Sequence, residues 1–145
     1  MFRRRSDGTK HIGIELGILT RGDPERYLET HGIGTCTAIA LYFPRSKVIV
    51  LDHILPTTSL DTAIAEISRN LAGTIKEPPF YHLELGSAAH PNFWNPGTEK
   101  RDPEVLQKYF TGARPSNRVT YGEMGTFTSV RLDKKSGAIS VYKSF

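Results

Sequence analysis

The sequence predicts an α+β domain, and three features carry that reading. Short runs with an apolar residue at every second position, the signature of half-buried strands, recur along the chain. Two other segments space their apolar residues as a helix does, each between a start and a stop signal. Residues that favour turns lie between these runs rather than inside them.

In chain order, Ile12, Ile14, Leu16 and Ile18 alternate with non-aliphatic residues, so a first strand is expected over 12–18. Gly22-Asp23-Pro24 marks a turn. Two adjacent strands are expected at 36–42 and 47–51, the second apolar on both faces and therefore covered on both sides. Ser59 can cap a helix whose apolar face is Ile64, Ile67 and Leu71, with Gly73 at its end. Tyr81 to Leu85 reads as a strand, and 86–97 as a long loop rich in small residues, Pro and Asn. Asp102-Pro103 opens a second helix carrying Val105, Leu106, Tyr109 and Phe110, stopped by Gly112. Two closing strands, 127–132 and 138–142, are joined by a loop in which Gly137 can take a left-handed conformation.

At 145 residues the chain is long enough for one hydrophobic core, expected over 10–145 behind a short N-terminal tail at 1–9. Its apolar fraction of 38% and charged fraction of 23% are those of a globular domain. No apolar run reaches bilayer length, so membrane insertion is not expected. The basic start Arg3-Arg4-Arg5 lacks the apolar stretch of a secretory signal. The net charge of +4 is scattered, without the basic stripe and interleaved aromatics of a nucleic-acid interface. A single cysteine excludes an internal disulfide and a multi-thiolate zinc site, and it fits a reducing, cytoplasmic setting.

That cysteine acquires a partner from turn counting. If Phe43-Pro44-Arg45-Ser46 is the hairpin loop, Tyr42 faces Lys47, Ala40 faces Ile49, Ala38 faces Leu51, and Cys36 faces His53. A thiol is mostly protonated at neutral pH, whereas the thiolate is the nucleophile. A neighbouring histidine can take its proton, and the resulting imidazolium stabilises the anion. The turn Gly32-Ile33-Gly34-Thr35 ahead of Cys36 lets backbone N–H groups converge on a developing oxyanion and lets a substrate approach closely at Gly34. Cys36 as a small buried hydrophobe, with His53 as a satisfied polar residue at a strand end, is the structural alternative.

The segment from Thr30 to Tyr42, containing Gly32-Ile33-Gly34-Thr35-Cys36, followed by Asp52-His53-Ile54-Leu55-Pro56, resembles the chemoreceptor glutamine deamidase (CheD) family. The family pattern is a threonine, a glycine-containing turn ending in Gly-Ser-Cys, an aliphatic strand ending in Leu-Tyr, and a His before Leu-Pro. The stretch Ser129 to Asp133 with Ser136 to Val141 resembles the family's closing hairpin. Thr35 stands where the family has Ser, and Val48 to Leu51 stand where it has glycines. The same Cys-His architecture is found in glutamine-deamidating toxins similar to cytotoxic necrotizing factor and Burkholderia lethal factor.

This resemblance implies a sandwich of mixed β-sheets flanked by helices and a protein-glutamine deamidase working through a cysteine thioester. Cys36 would be the nucleophile, His53 the base and Thr30 the group that orients His53, with Thr35 and Cys36 N–H groups as the oxyanion hole. From the residues themselves, Gly34 could admit substrate, and His31 could be a rival base, a substrate contact or a flanking surface residue. Trp94, His82, His90 and Asn92 could line a substrate rim or an ordinary loop packed by its own aromatic. No metal or organic cofactor is needed, and His82 with His90 makes a poor metal site. The expected partner is a protein bearing an exposed glutamine, in the cytoplasm or, for a delivered toxin-like effector, in a host cytosol. A catalytically idle binding module of the same fold and a transglutaminase-like acyl transferase are the competing functions. A redox thiol protein is disfavoured because the chain has no second, resolving cysteine.

Overall fold

The computed structural model describes residues 8–73, 75, 77–92, 94–116, 120–121 and 125–144. It is an α+β fold built on two mixed β-sheets. One sheet orders β1 (Thr9–Ile12), β3 (Tyr27–Ile33), β9 (Phe127–Asp133) and β10 (Ile139–Ser144), with β1 and β3 parallel. The other orders β2 (Leu16–Leu19), β5 (Val48–Ile54), β4 (Thr37–Phe43), β6 (Phe80–Leu85) and β7 (Arg114–Pro115), and β8 (Thr120–Tyr121) also pairs with β6. Strand β1 starts at Thr9, within the segment 1–9 expected as a tail, and residues 1–7 lie outside the described residues.

The second sheet is covered on both faces, as its apolar composition requires. Every residue of β5 is buried. On one face Ile39, Leu41, Phe43, Val48 and Val50 pack with Leu60, Ile64, Ile67 and Leu71 of α1 (Leu60–Leu71) and Leu106 of α2 (Val105–Tyr109). On the other, Ala38, Ala40, Ile49 and Leu51 meet Ile12, Leu28, Ile33, Val130 and Leu132 of the first sheet. The layers therefore run sheet, sheet, helices. Helix α1 starts where its cap predicts: the Ser59 hydroxyl accepts the Thr62 N–H at 3.0 Å. The closing hairpin also follows expectation, with Gly137 at φ +77°.

Three local expectations change. The run 12–18 is not one strand. Ile12 ends β1 in the first sheet, residues 13–15 bend, and Leu16 begins β2 in the second. Alternation survives across the bend only in the residue types, for Ile14 is 58% exposed. Strand β3, from Tyr27 to Ile33, was not anticipated because its polar residues Glu29, Thr30 and His31 mask the period.

The hairpin between β4 and β5 turns at 44–47 rather than at 43–46. Phe43 is too valuable to the core to sit in a loop and is fully buried opposite Val48. Lys47 instead closes the turn at φ +56°, the left-handed conformation that ends many such loops. The register moves by two residues, so His53 pairs with Ala38 and not with Cys36. A shift of two preserves the face of every side chain, whereas a shift of one would have inverted it.

Candidate active site

Thr30, on β3, faces the second sheet, and His53, near the end of β5, faces the first. Both are buried, and Thr30 Oγ1 lies 2.7 Å from His53 Nδ1. The same hydroxyl lies 3.1 Å from the Ile12 carbonyl oxygen, which can only accept. A hydroxyl has one proton, and donating it to Ile12 leaves the oxygen as acceptor for Nδ1–H of His53. That tautomer leaves the lone pair on Nε2. Nε2 is buried and has no hydrogen-bond partner among the described residues.

Cys36 lies in the bend ahead of β4 and is 8% exposed. It stands two residues before Ala38, the residue opposite His53. Cys36 itself precedes β4 and, among the described residues, has no ladder partner on β5. No hydrogen bond joins Cys36 to His53 among the described residues, and the direct cross-strand pairing expected from turn counting is replaced by the pairing of His53 with Ala38. Burial pushes the Cys36 thiol up, opposed by a hydrogen bond from the Thr35 side chain and by the charge of Arg101. Burial pushes His53 down. Both shifts favour the uncharged form of each group, the opposite direction from the thiolate and imidazolium expected from the sequence.

The turn carrying Cys36 is clamped by the exit of β6. The Gly86 N–H donates to the Cys36 carbonyl at 2.7 Å, and the Ser87 N–H and Oγ both donate to the Gly34 carbonyl, at 2.8 and 3.1 Å. A Cβ on Gly86 would stand 2.4 Å from the Cys36 carbonyl oxygen, so only glycine allows this approach. With the Gly34 and Cys36 carbonyls held on this side, the Thr35 and Cys36 N–H groups have no acceptor among the described residues. These are the two groups expected to stabilise an oxyanion.

Arg101 is a component that the sequence did not single out. Its guanidinium donates to Thr37 Oγ1 at 3.0 Å, to the Leu55 carbonyl at 2.9 Å and to the Thr58 carbonyl. These bonds pin a cation close enough to Cys36 to lower its pKa. In the sequence it sits within the charged run Glu99 to Asp102, which has the composition of a solvated loop. Arg101 also lines an open cleft of ≈550 Å³ with Leu85, Ala89, Pro91 and Trp94. Gly34 and Thr35 border a smaller recess, ≈170 Å³, with Ser87 and Phe127.

The other candidates separate. Trp94, 45% exposed, is on the cleft wall. His31 points to the outer face of the first sheet, where its ring meets Ser129, Glu29 and His11. Alternation along β3 puts it opposite to Thr30, so it does not join Cys36 and His53. His82 is buried beside Glu84, 3.2 Å away, and is no part of a rim. His90 and Asn92 form a local loop contact, the Asn92 N–H donating to His90 Nδ1 at 3.0 Å. No helix among the described residues is long and apolar enough to cross a membrane.

No protein-family model matches this chain, and a search of curated proteins returns no match.

Proposed function

We propose that this chain is a cysteine-dependent amidohydrolase that deamidates glutamine side chains of a protein substrate, with the sandwich fold of the chemoreceptor deamidase family. What supports the reading is a buried histidine whose tautomer is set by a threonine hydroxyl and whose Nε2 has no partner among the described residues, on the strand that pairs with the one entered from the only cysteine. Buried side-chain nitrogens are in the large majority hydrogen-bonded, so the orphan Nε2 calls for an explanation that a reacting group supplies.

In this reading His53 Nε2 takes the Cys36 proton as Sγ attacks the carboxamide carbon of glutamine. The developing oxyanion is held by the Thr35 and Cys36 N–H groups. His53 returns the proton to the amide nitrogen, the C–N bond breaks, and ammonia leaves a thioester on Cys36. Water, deprotonated by His53, then attacks the thioester to give glutamate and the free thiol. Burial disfavours the charged form of both groups, so in this reading proton transfer accompanies attack. The cleft lined by Trp94 and Arg101 would receive the polypeptide beside the glutamine.

The test is intact-mass analysis of candidate glutamine-bearing proteins after incubation with wild type and with Cys36→Ala, with and without a primary amine. Conversion of amide to acid by wild type alone is the expected result. Incorporation of the amine in place of hydrolysis would make the chain an acyl transferase. Equal products from the Cys36→Ala variant would remove the cysteine from the chemistry.

A further inference from the structure

On the far face of the first sheet, away from Cys36, we infer that His11, Glu29 and His31 form a binding site for a divalent transition metal of the zinc type. Residues of β1 and β3 supply all three ligand atoms. His11 pairs with Glu29 in the parallel register, and His31 follows two residues on, so the three share one face. His31 Nε2 is 3.0 Å from Glu29 Oε2 and 3.3 Å from His11 Nδ1, and the three atoms all lie within 4.8 Å of one another. Around a tetrahedral zinc with bonds of about 2.0–2.1 Å, neighbouring donor atoms stand about 3.3–3.4 Å apart. The His11–His31 separation therefore already matches an edge of a coordination tetrahedron, and the His31–Glu29 separation is a few tenths of an ångström shorter. The rings of His11 and His31 stack 5.4 Å apart at 21°, and a turn of the exposed His11 ring is needed to aim its lone pair at the same point.

The surroundings orient the ligands as metal sites require. Ser129 Oγ lies 2.7 Å from His31 Nδ1, so it can hold the proton there and leave Nε2 as the donor. Glu29 is only 5% exposed, an unusual burial for a carboxylate. It is held by the Tyr142 hydroxyl, which donates to Oε2, and by Arg131 Nε, 3.4 Å from Oε1. Arg131 is the one cation close to the cluster among these contacts, and it faces the oxygen that the site does not use. His11 and His31 are exposed, which leaves the fourth coordination position to water.

A metal here would cross-link β1 to β3. Its ligands Glu29 and His31 flank Thr30, and His11 precedes Ile12, the acceptor of the Thr30 hydroxyl. Metal binding on one face thus braces the backbone that holds Thr30 on the other.

Zinc chloride titrated into chelator-stripped protein, followed by calorimetry and by competition with a chromophoric chelator, tests the site. One zinc per chain is expected, with a rise in Tm. Binding and the rise should both disappear in His31→Ala, and Ser129→Ala should weaken binding by about tenfold or more. Cys36→Ala should bind as wild type does. Zinc bound with unchanged stoichiometry by a His11→Ala/His31→Ala double variant would overturn the assignment. Loss of binding in Cys36→Ala, or no binding by wild type, would equally overturn it.

Discussion

Thr30 and His53 share a buried 2.7 Å hydrogen bond that joins two strands of different sheets. It is a polar bridge within a layer otherwise filled by Ala38, Ala40, Leu28, Ile49 and Leu51. Losing one partner would leave the other unsatisfied at a cost of about 1–3 kcal/mol. Thr30→Ala should therefore lower stability by about that amount and lower turnover further, because the imidazole loses the contact that fixes its tautomer. Thr30→Ser keeps the oxygen and should restore most of the activity. Urea unfolding and single-turnover conversion of a glutamine substrate separate the two effects. Equal activity in the Ala and Ser variants would leave the hydroxyl with a structural role alone. In a Thr30→Ala/His53→Ala double variant the activity losses should not multiply, since both act on one base.

Cys36 should alkylate slowly at neutral pH. Burial raises its pKa, and the largest opposing influences are the Thr35 hydrogen bond and the Arg101 charge. Iodoacetamide rates measured against pH should rise with a midpoint above that of a free thiol. Arg101→Gln should move the midpoint higher still by removing the cation, and Arg101→Lys should move it less. A midpoint near neutrality in wild type would mean that an ion pair with His53 exists at rest.

How much of this was legible in the sequence depended on whether a local signal existed. Helix α1 was visible because Ser59, Ile64, Ile67, Leu71 and Gly73 each act within one turn of their neighbours. The closing hairpin was visible for the same reason. The β4–β5 register was not, because the choice between Ser46 and Lys47 as the end of the loop rests on the burial of Phe43, a tertiary effect. Residue types placed Thr30, Cys36 and His53 in one candidate set through the family resemblance, and the shift of two kept Ala38 and His53 on a common face. Arg101 and Gly86 were invisible. Each reaches the Cys36 turn across a separation in sequence that no local pattern encodes.

Asp52, beside His53 but on the opposite face of β5, should make stability depend on pH. Its carboxyl is buried, and burial together with the charge of Glu66 pushes its pKa from 3.8 up to about 6. The protonated form is favoured in the fold, so its stabilising effect is present in full below the unfolded value and is lost as pH rises to about 6. A shift of that size corresponds to about 3 kcal/mol as an upper bound. Asp52→Asn should accordingly be more stable than wild type at pH 8 and close to it at pH 3.5. Urea midpoints at the two pH values decide this, and a gain at the acidic pH alone would reverse the sign and refute it.

Gly86→Ala should damage the site without touching any reacting group. The added methyl would meet the Cys36 carbonyl oxygen at 2.4 Å, the Thr35 carbonyl carbon at 2.6 Å and the Gly34 carbonyl oxygen at 2.7 Å, all of them backbone atoms. Backbone cannot yield as the tip of a flexible side chain can. The exit of β6 must then move away from the turn, and the bonds from Gly86 N–H to Cys36 and from Ser87 N–H to Gly34 must lengthen together. Overpacking of this kind costs about 1–3 kcal/mol. The functional cost should be larger, since a displacement of about 1 Å at a catalytic group can remove two orders of magnitude in rate. Because the thiol and the imidazole are both retained, alkylation of Cys36 should persist, and faster if the loosened turn exposes it, while glutamine conversion falls. Parallel measurement of iodoacetamide rate and single-turnover conversion distinguishes this from unfolding, which would raise the first and abolish the second along with the thermal transition. Full activity in a folded Gly86→Ala protein would show that the turn carrying Thr35 and Cys36 does not need the clamp.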